Sequence, residues 1–258
     1  SGVIGGTGAM VANGTGGKFN LTGTNSYSGN TTIGGGTFQI GGSGSLGAGS
    51  YAGTIANAGS FLYSSSVDQV LSGAISGTGS LTKDIGTTST LTLSGNNTFT
   101  GGDMVSAGTL KLGSATALGA SSAAVSVGSG AVLDLNGQTV TNTNSITING
   151  TGISSGGVLI NSSSTAATAS GAVTVAANST LGGTGAMTLN GVVSAGSYTV
   201  SFVDASGFTA TNTGNSIQNV VITNSALALK TNQSLSVAAS TLSGATTLQS
   251  VATDKDIT

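Results

Sequence analysis

Short runs of alternating apolar and polar residues are the dominant pattern along the chain. In each run two apolar residues stand two positions apart, as in Leu91/Leu93, Leu110/Leu112, Val125/Val127, Leu133/Leu135, Ile146/Ile148, Val173/Val175 and Met187/Leu189. Alternation with period two, in runs rich in β-formers and bounded by Gly, Asn or Ser, predicts short strands separated by turns. Glycine recurs too often between the runs for a helix. The pattern therefore predicts an all-β protein.

The alternating pattern also repeats at long range. Residues 4–41 align with residues 75–113 at an offset of 71 residues, which becomes 72 after one added residue. The aligned apolar positions are the predicted repeat core: Phe19, Leu21, Tyr27, Ile33, Phe38 and Ile40 in the first copy, and Leu81, Leu91, Leu93, Phe99, Val105, Leu110 and Leu112 in the second. A partial third copy, LGGTGAM, begins at Leu181. Apolar positions and glycines recur while polar identities drift, which is typical of a structural repeat.

Many short strands within a sequence repeat indicate a stacked architecture. A β-sandwich needs no sequence repeat, and propeller blades usually carry aromatic motifs, whereas this chain has no Trp. We therefore predict a right-handed parallel β-helix (β-solenoid) of about 11–13 rungs, each of roughly twenty residues. The absence of Pro agrees with this fold, because a neighbouring rung needs every backbone N–H. Residues 1–190 are predicted to form the Gly/Thr-rich β-helix, and residues 191–258 further rungs or a second β subdomain.

Charge and composition narrow the classes of function. Charged residues make up only 5% of the chain and the formal net charge is −2, so a basic surface for nucleic acid is not expected. The sequence has no apolar run long enough to span a membrane as a helix, and its first residues lack signal-peptide features. Because there is no Cys, disulfides and thiolate metal sites are excluded.

The second copy resembles a known family repeat. From Gly77 it reads GTGSLTKDIGTTSTLTLSGNNTFTGGDMVSAGTLKLG, which is similar to the autotransporter-associated β-strand repeat, also called the passenger-associated transport repeat. The likeness runs through the segments LTK, LTLSG, NTFTGG and V-x-AGTL. Asp103-Met104 stands where the family usually has Thr-Thr, and in the first copy Ala12 stands at the position of Lys83.

The resemblance implies a structural role outside the cell. Such repeats occur in β-helical passengers of type V secreted proteins, and the family has no catalytic residues to transfer. The chain is accordingly predicted to be a non-enzymatic scaffold, an adhesin stalk or surface rod, with an unidentified host or cell-surface ligand. An alternative is a self-assembling filament or layer subunit that associates end to end or side by side. Two further alternatives are a carbohydrate-active β-helix enzyme and an ice-binding protein.

Glycine-rich strings suggest cofactor or metal sites that the surrounding residues do not support. GSGSLG at residues 42–47 matches a dinucleotide fingerprint, with Asp68 following at a suitable distance, but no helical pattern comes after it. GTGGKF at residues 14–19 lacks the first Gly and the Ser/Thr of a P-loop. Leu46 stands where a calcium nonapeptide has its Asp ligand. No cofactor or metal is therefore predicted.

The few charged residues are interpreted as solvated groups. Asp84 and Asp103 lie about one rung apart and could stack as a carboxylate pair, while Lys83 is expected to face away from Asp84. A single carboxylate pair without Arg or His is a thin catalytic site, so these side chains are predicted to lie in turns or on the outer face. The cluster Asp254-Lys255-Asp256 is interpreted as a solvated terminus or cap.

Aromatic and threonine patterns leave two alternatives open. Tyr27 and Phe99 occupy the same repeat position, which favours stacking in the core over a sugar-binding platform. Thr-x-Thr patterns occur at residues 90–92, 98–100 and 139–143 and could form the flat ladders of an ice-binding β-solenoid. Their spacing in the sequence is irregular, and Ser and Asn interrupt them.

Overall fold

The computed structural model describes residues 2–86, 88–203, 206–238, 240–242, 244–250 and 257. Strands run throughout, and their pairings are parallel. The fold is an all-β parallel β-solenoid of about 11 turns, which confirms the predicted fold class. The right-handed sense of the coil stays a prediction. The chain divides into two compact units, one ending at Val125 and the other beginning at Ser126.

The first unit has three faces, each a set of stacked parallel strands. Face one is β1-β3-β6-β9, face two is β2-β4-β7-β10-β12, and face three is β5-β8-β11-β13. A 3₁₀ turn at Gly47–Gly49 precedes β5. The strands are β1 (Met10–Ala12), β2 (Lys18–Leu21), β3 (Thr31–Ile33), β4 (Thr37–Gly42), β5 (Ser50–Tyr51), β6 (Ile55–Asn57), β7 (Ser60–Ser65), β8 (Gln69–Leu71), β9 (Ile75–Ser76), β10 (Ser80–Lys83), β11 (Thr90–Leu93), β12 (Asp103–Val105) and β13 (Gly108–Leu112).

The two sequence copies do not lie on the same faces. In the first copy, β1 pairs with β3 on face one and β2 pairs with β4 on face two. In the second copy, the corresponding strands pair as β10 with β12 on face two and β11 with β13 on face three. The repeat therefore advances the chain by whole turns plus one face, and a residue and its repeat partner belong to different ladders of the core.

The second unit also has three stacks of strands. Its six-stranded sheet is β16-β19-β22-β24-β26-β29, and the other two stacks meet in β23 and β25, which pair along most of their length. A 3₁₀ turn lies at Ile153–Ser155. The strands are β14 (Val125–Val127), β15 (Ala131–Asp134), β16 (Thr139–Val140), β17 (Ile146–Ile148), β18 (Leu159–Asn161), β19 (Ala167–Ala169), β20 (Val173–Val175), β21 (Ser179–Gly183), β22 (Met187–Leu189), β23 (Val193–Val203), β24 (Phe208–Ala210), β25 (Ser216–Ser225), β26 (Leu227–Thr231), β27 (Ser236–Val237), β28 (Thr241–Leu242) and β29 (Thr247–Ser250).

The change of composition near residue 191 coincides with a change in strand length. β23 and β25 have 11 and 10 residues, whereas β4 and β7, two of the longer strands of the first unit, have 6 each. β23 continues through Gly196, where φ is 54° and the pairing with β25 shifts register. Parallel pairing continues through this region to β29. A separate subdomain from residue 191 stays a prediction, because both long strands lie inside the second unit.

Among the segments that the structure describes, none is a helix with the length and apolar character needed to cross a membrane.

Candidate functional site

The sequence assigns a structural role to the apolar residues of the predicted repeat core, and most of these side chains are buried. Twelve of them have at most 6% of their surface exposed: Leu21, Tyr27, Ile33, Phe38, Ile40, Leu81, Leu91, Leu93, Phe99, Val105, Leu110 and Leu112. Alternation along each strand turns these residues inward, where they stack on the equivalent positions of neighbouring turns. The stacked rows form the ladders of the core.

Phe19 differs from the other predicted core residues, because 41% of its surface is exposed. It occupies an inward position of β2, and its ring stacks on Phe38 with centroids 5.8 Å apart and planes 9° apart. Within the described residues β2 pairs only with β4, so no strand covers the other side of the ring. The prediction that Phe19 lies in the repeat core is therefore wrong for the residues that the structure describes.

Lys83 is buried, contrary to the prediction that the charges lie in solvent. Only 1% of its surface is exposed, because β10 alternates and turns Leu81 and Lys83 inward together. Asp84 is exposed, as expected for a neighbour on the opposite face. Lys83 lies beside Tyr63 of β7 and Val105 of β12 in the register of face two. A lysine thus replaces an apolar residue in a ladder of the core.

The amine of Lys83 forms hydrogen bonds with the corner segment that follows β10. Its Nζ donates to the backbone carbonyl of Ile85 and, at 2.9 Å, to Oγ of Ser89. Ser89 Oγ in turn lies 3.0 Å from the carbonyl oxygen of Ser65 in the preceding turn. The Nζ atom is also 5.7 Å from the centroid of the Tyr63 ring. Burial lowers the pKa of this amine, and the negative charges of Asp84 and Asp68 partly oppose the shift.

Asp103 is also buried, so the prediction of a solvated carboxylate is wrong here too. Its exposed surface is 4%, and it lies in register with Leu81, which is itself in register with Phe61. Neither carboxyl oxygen has a hydrogen-bond partner. Burial raises the pKa of Asp103 well above its usual range. The predicted stacking of Asp84 on Asp103 does not occur, because Asp84 faces outward and accepts a hydrogen bond from Ser64 Oγ.

The first copy has a polar residue with hydrogen-bond partners at the position equivalent to Asp103. Thr31 is its counterpart, and Thr31 Oγ1 lies 2.8 Å from the hydroxyl of Tyr27 and 2.7 Å from the hydroxyl of Tyr51. In the second copy Phe99 replaces Tyr27, and the segment 119–124, GASSAA, contains no tyrosine. The hydroxyl groups that serve Thr31 are therefore missing around Asp103. The carboxyl group of Asp103 therefore lies in the ladder without hydrogen-bond donors for its oxygens.

Two buried asparagines are structural residues that the sequence argument missed. Asn25 Oδ1 accepts the backbone N–H of Ile4 at 3.0 Å, and its Nδ2 donates to the carbonyl oxygens of Gly23 and Ser45. Asn97 is its repeat partner. The Asn97 Oδ1 atom accepts the N–H of Ile75 at 2.8 Å, and its Nδ2 donates to Ala117 O at 2.6 Å. Each amide thus links the preceding and the following turn. The sequence signal for this structural role is that Asn recurs at the same position of both copies.

The glycine string at residues 42–47 forms a corner of the solenoid. The backbone N–H of Leu46 donates to Oε1 of Gln69 at 2.7 Å, and Leu46 O accepts from Gln69 Nε2 at 3.1 Å. Only the three-residue 3₁₀ turn Gly47–Gly49 follows, with Ala48 at a φ of 54°. The geometry needed for a dinucleotide, a helix N-terminus that faces a pyrophosphate, is therefore not formed at this string. The cluster Asp254-Lys255-Asp256 lies outside the described residues.

Threonines line the outer surface of the six-stranded sheet in the second unit. Thr139 is in register with Thr168, Thr168 with Thr188, and Thr188 with Thr209; Ala228 and Thr247 complete the row. We call this row the threonine ladder. Its members alternate with buried residues, so their side chains are on the outside. Of the Thr-x-Thr residues that the sequence points to, only Thr139 belongs to this row.

Comparison with protein families identifies the repeat. The model of the passenger-associated transport repeat matches residues 11–40 and 88–112. The matches contain most of the predicted core, both buried asparagines, and Thr31 and Asp103 at equivalent positions. Comparison of the chain with curated proteins and with solved structures finds no match. The resemblance inferred from the sequence is confirmed at two places.

Proposed function

We propose that the chain is a structural part of an exported passenger that serves as an adhesin stalk or surface rod of a bacterium. One observation carries this proposal: both matched repeats fold as turns of a parallel solenoid whose repeated residues fill the interior. The passenger-associated repeat suggests an autotransporter passenger, and therefore a surface or secreted location. In this role the chain provides length and a stable surface, and its repeated residues act by stacking.

We infer no catalytic role for Asp84 and Asp103, the residues that a carbohydrate-active enzyme would use. Acid/base catalysis on a sugar needs two carboxyl groups on either side of one bond. Here one carboxylate faces outward and the other is buried in a core ladder. Turnover in a polysaccharide screen that is lost on Asp84→Ala or Asp103→Ala would overturn this inference. Self-association end to end or side by side stays a prediction.

Surface display tests the proposed passenger role. The chain is fused to the membrane barrel of an autotransporter in a Gram-negative host, and protease added outside the cells reports whether it reaches the surface. Leu91→Asp places a charge in the interior of face three, whereas Thr92→Asp places the same charge on its outside. We expect the unaltered chain and Thr92→Asp to be displayed and Leu91→Asp to be retained or degraded. Equal display of all three chains, or of none, would contradict the proposal.

A second candidate function, binding to ice, is favoured by the threonine ladder. Neighbouring parallel strands lie about 4.8 Å apart, so four consecutive threonines present hydroxyl and methyl groups at a regular interval. These side chains carry no charge, and a regular row of hydroxyl and methyl groups can order a layer of water. Ice is a solid lattice of water molecules with a spacing of the same order, which a regular row could match.

Inhibition of ice recrystallisation tests this second function. Thr188→Lys inserts a long charged side chain in the middle of the ladder and should abolish any inhibition. Thr174→Lys is the matched control, because Thr174 also points outward but lies on another stack, in register with Thr147 and Ser194. Inhibition that Thr188→Lys abolishes and Thr174→Lys leaves intact would support ice binding. No inhibition by the unaltered chain, or equal loss in both variants, would refute it.

A further inference from the structure

We propose that Asp103 makes the contact between β10 and β12 pH-sensitive: this part of the first unit is closed while the carboxyl group is protonated and opens locally when it ionises. The proposal rests on the position of a single side chain. Asp103 occupies an inward site where the two preceding turns carry Leu81 and Phe61, and both of its oxygens are buried without a hydrogen-bond partner. An ionised carboxylate cannot be kept in such a place without a large cost in free energy.

No neighbouring element brings a charge that could offset this cost. On β10 the amine of Lys83 is directed to Ile85 O and Ser89 Oγ, and Asp84 faces outward. On β13 Lys111 occupies an outward position between two buried leucines. The segment 113–125, which passes beside β12, contains no titratable side chain. Burial is correspondingly the cause of the raised pKa of Asp103.

The sign of the pH effect follows from the raised pKa. An aspartate in the unfolded chain titrates near about pH 4. Because the folded-state pKa of Asp103 is higher, the contribution of this group to stability is fully present below about pH 4 and is lost as the pH rises through the folded pKa. The pH effect of Lys83 falls in a different range. Because burial lowers the pKa of its amine in the folded state, the folded state gains stability as the pH rises towards the unfolded lysine value of about 10.4.

The surroundings of β12 favour a local opening over unfolding of the whole unit. The strand has three residues. At its two ends the bonds from Leu81 N to Gly102 O (3.0 Å) and from Ser106 N to Lys83 O (2.8 Å) join it to β10, while Asp103 N donates to Ala124 O of the following turn (2.9 Å). A surface groove of about 340 Å³ lies beside it, lined in part by Thr82 and Met104. Asp103 itself is among the residues that line this groove, although its carboxyl oxygens are buried. Parting of β10 from β12 would therefore hydrate the carboxylate directly.

Amide hydrogen exchange on the whole chain tests the proposal. The amides of Leu81 and Ser106 donate across this contact, to Gly102 O and Lys83 O respectively. After correction for the intrinsic pH dependence of exchange, the protection factors of these two amides should fall by about tenfold or more between about pH 4 and pH 8. Asp103→Asn keeps the size of the side chain and removes its charge, and should make the two protection factors nearly independent of pH. Asp84→Asn is the matched control, because Asp84 is an exposed carboxylate that directly follows β10.

Each result decides the proposal. A pH-dependent loss of protection in the unaltered chain and in Asp84→Asn, absent in Asp103→Asn, supports it. The same profile in all three chains, or a loss that Asp84→Asn removes, overturns it. If Asp103→Asn does not fold, the carboxyl carbon of Asp103 is titrated by NMR in the unaltered chain. A titration midpoint near about pH 4, the value of an exposed aspartate, would then overturn the proposal, and a much higher midpoint would support it.

Discussion

The corner after β10 depends on one amine, and Lys83→Met tests that dependence. Methionine fills a similar volume but leaves the carbonyl of Ile85 and the hydroxyl of Ser89 without their donor. Loss of a buried hydrogen bond of this kind costs about 1–3 kcal/mol in the free energy of unfolding, measured by urea denaturation. The loss should grow as the pH rises towards about 10.4, because the desolvation penalty on the native amine then disappears.

Lys18→Met is the matched control for this substitution. Lys18 is exposed on β2, so its replacement should change the free energy of unfolding by no more than about 0.5 kcal/mol. If both variants unfold at the same urea concentration as the unaltered chain, the buried amine of Lys83 contributes no net stability and our interpretation of the corner is wrong.

Asn97 links two neighbouring turns, and Asn97→Ala should break both links. The substitution leaves the N–H of Ile75 and the carbonyl oxygen of Ala117 buried and unpaired. We expect a loss of about 2–4 kcal/mol in the free energy of unfolding, by thermal or urea denaturation. Asn96→Ala serves as the control, since Asn96 is exposed and its bond to Thr116 lies in solvent. Equal stability of the two variants would show that the amide of Asn97 is not structural.

Single residues also show where sequence reasoning succeeds and where it fails. The alternation Leu81-x-Lys83 and Asp103-x-Val105 places both charged residues on the inward parity, so the pattern itself contained the correct answer. The prediction placed both side chains in solvent because they are charged. In a strand, however, the alternation of inward and outward positions is the stronger rule. The missing partners of Asp103 could not be predicted, because they depend on which turns meet across the core.

At the level of elements, the entry into β13 requires a glycine, and Gly108→Ala should destabilise it. Gly108 has a φ of 71°, and its repeat partner Gly36 has a φ of 64°. A Cβ atom on Gly108 would lie 2.4 Å from Gly86 O and 2.7 Å from Lys83 Nζ. The strained backbone conformation and the contact should cost about 2 kcal/mol or more, measured by thermal unfolding.

The control for this glycine is Gly14→Ala. Gly14 has open space around its Cβ position and no positive φ, so the substitution should be neutral or slightly stabilising. A Gly108→Ala variant that unfolds at the same temperature as Gly14→Ala would contradict the proposed requirement.

The strands themselves were largely predictable, whereas their faces were not. Each pair of apolar residues two apart, such as Leu91/Leu93 and Leu110/Leu112, has both side chains buried, and every pair except Leu133/Leu135 lies within one strand. Alternation determines which side chains point inward, because successive residues face opposite sides of a strand. It carries no information on the face to which a strand belongs. That is decided by the residues between strands, whose conformations the pattern leaves open, so the shift of one face between the copies was not foreseen.

For the whole molecule, a stacked architecture limits how far cooperativity extends. Turns in a solenoid contact mainly their neighbours, so stability is close to a sum of local contributions. The chain forms two compact units that meet in sequence at residue 125. Buried groups of high cost, Lys83 and Asp103, lie in the first unit, while the buried Asp134 of the second accepts hydrogen bonds from Asn136 and Ser162. The two units should therefore differ in stability.

Urea unfolding followed with two probes tests this difference. Tyr27, Tyr51 and Tyr63 are buried in the first unit, Tyr198 in the second is 42% exposed, and there is no Trp, so tyrosine fluorescence mainly reports the first unit. Far-ultraviolet circular dichroism reports the strands of both units. At neutral pH we expect the fluorescence transition at a lower urea concentration than the dichroism transition, and Tyr198→Phe should leave this difference unchanged. Coincident transitions would mean that the two units unfold as one cooperative body.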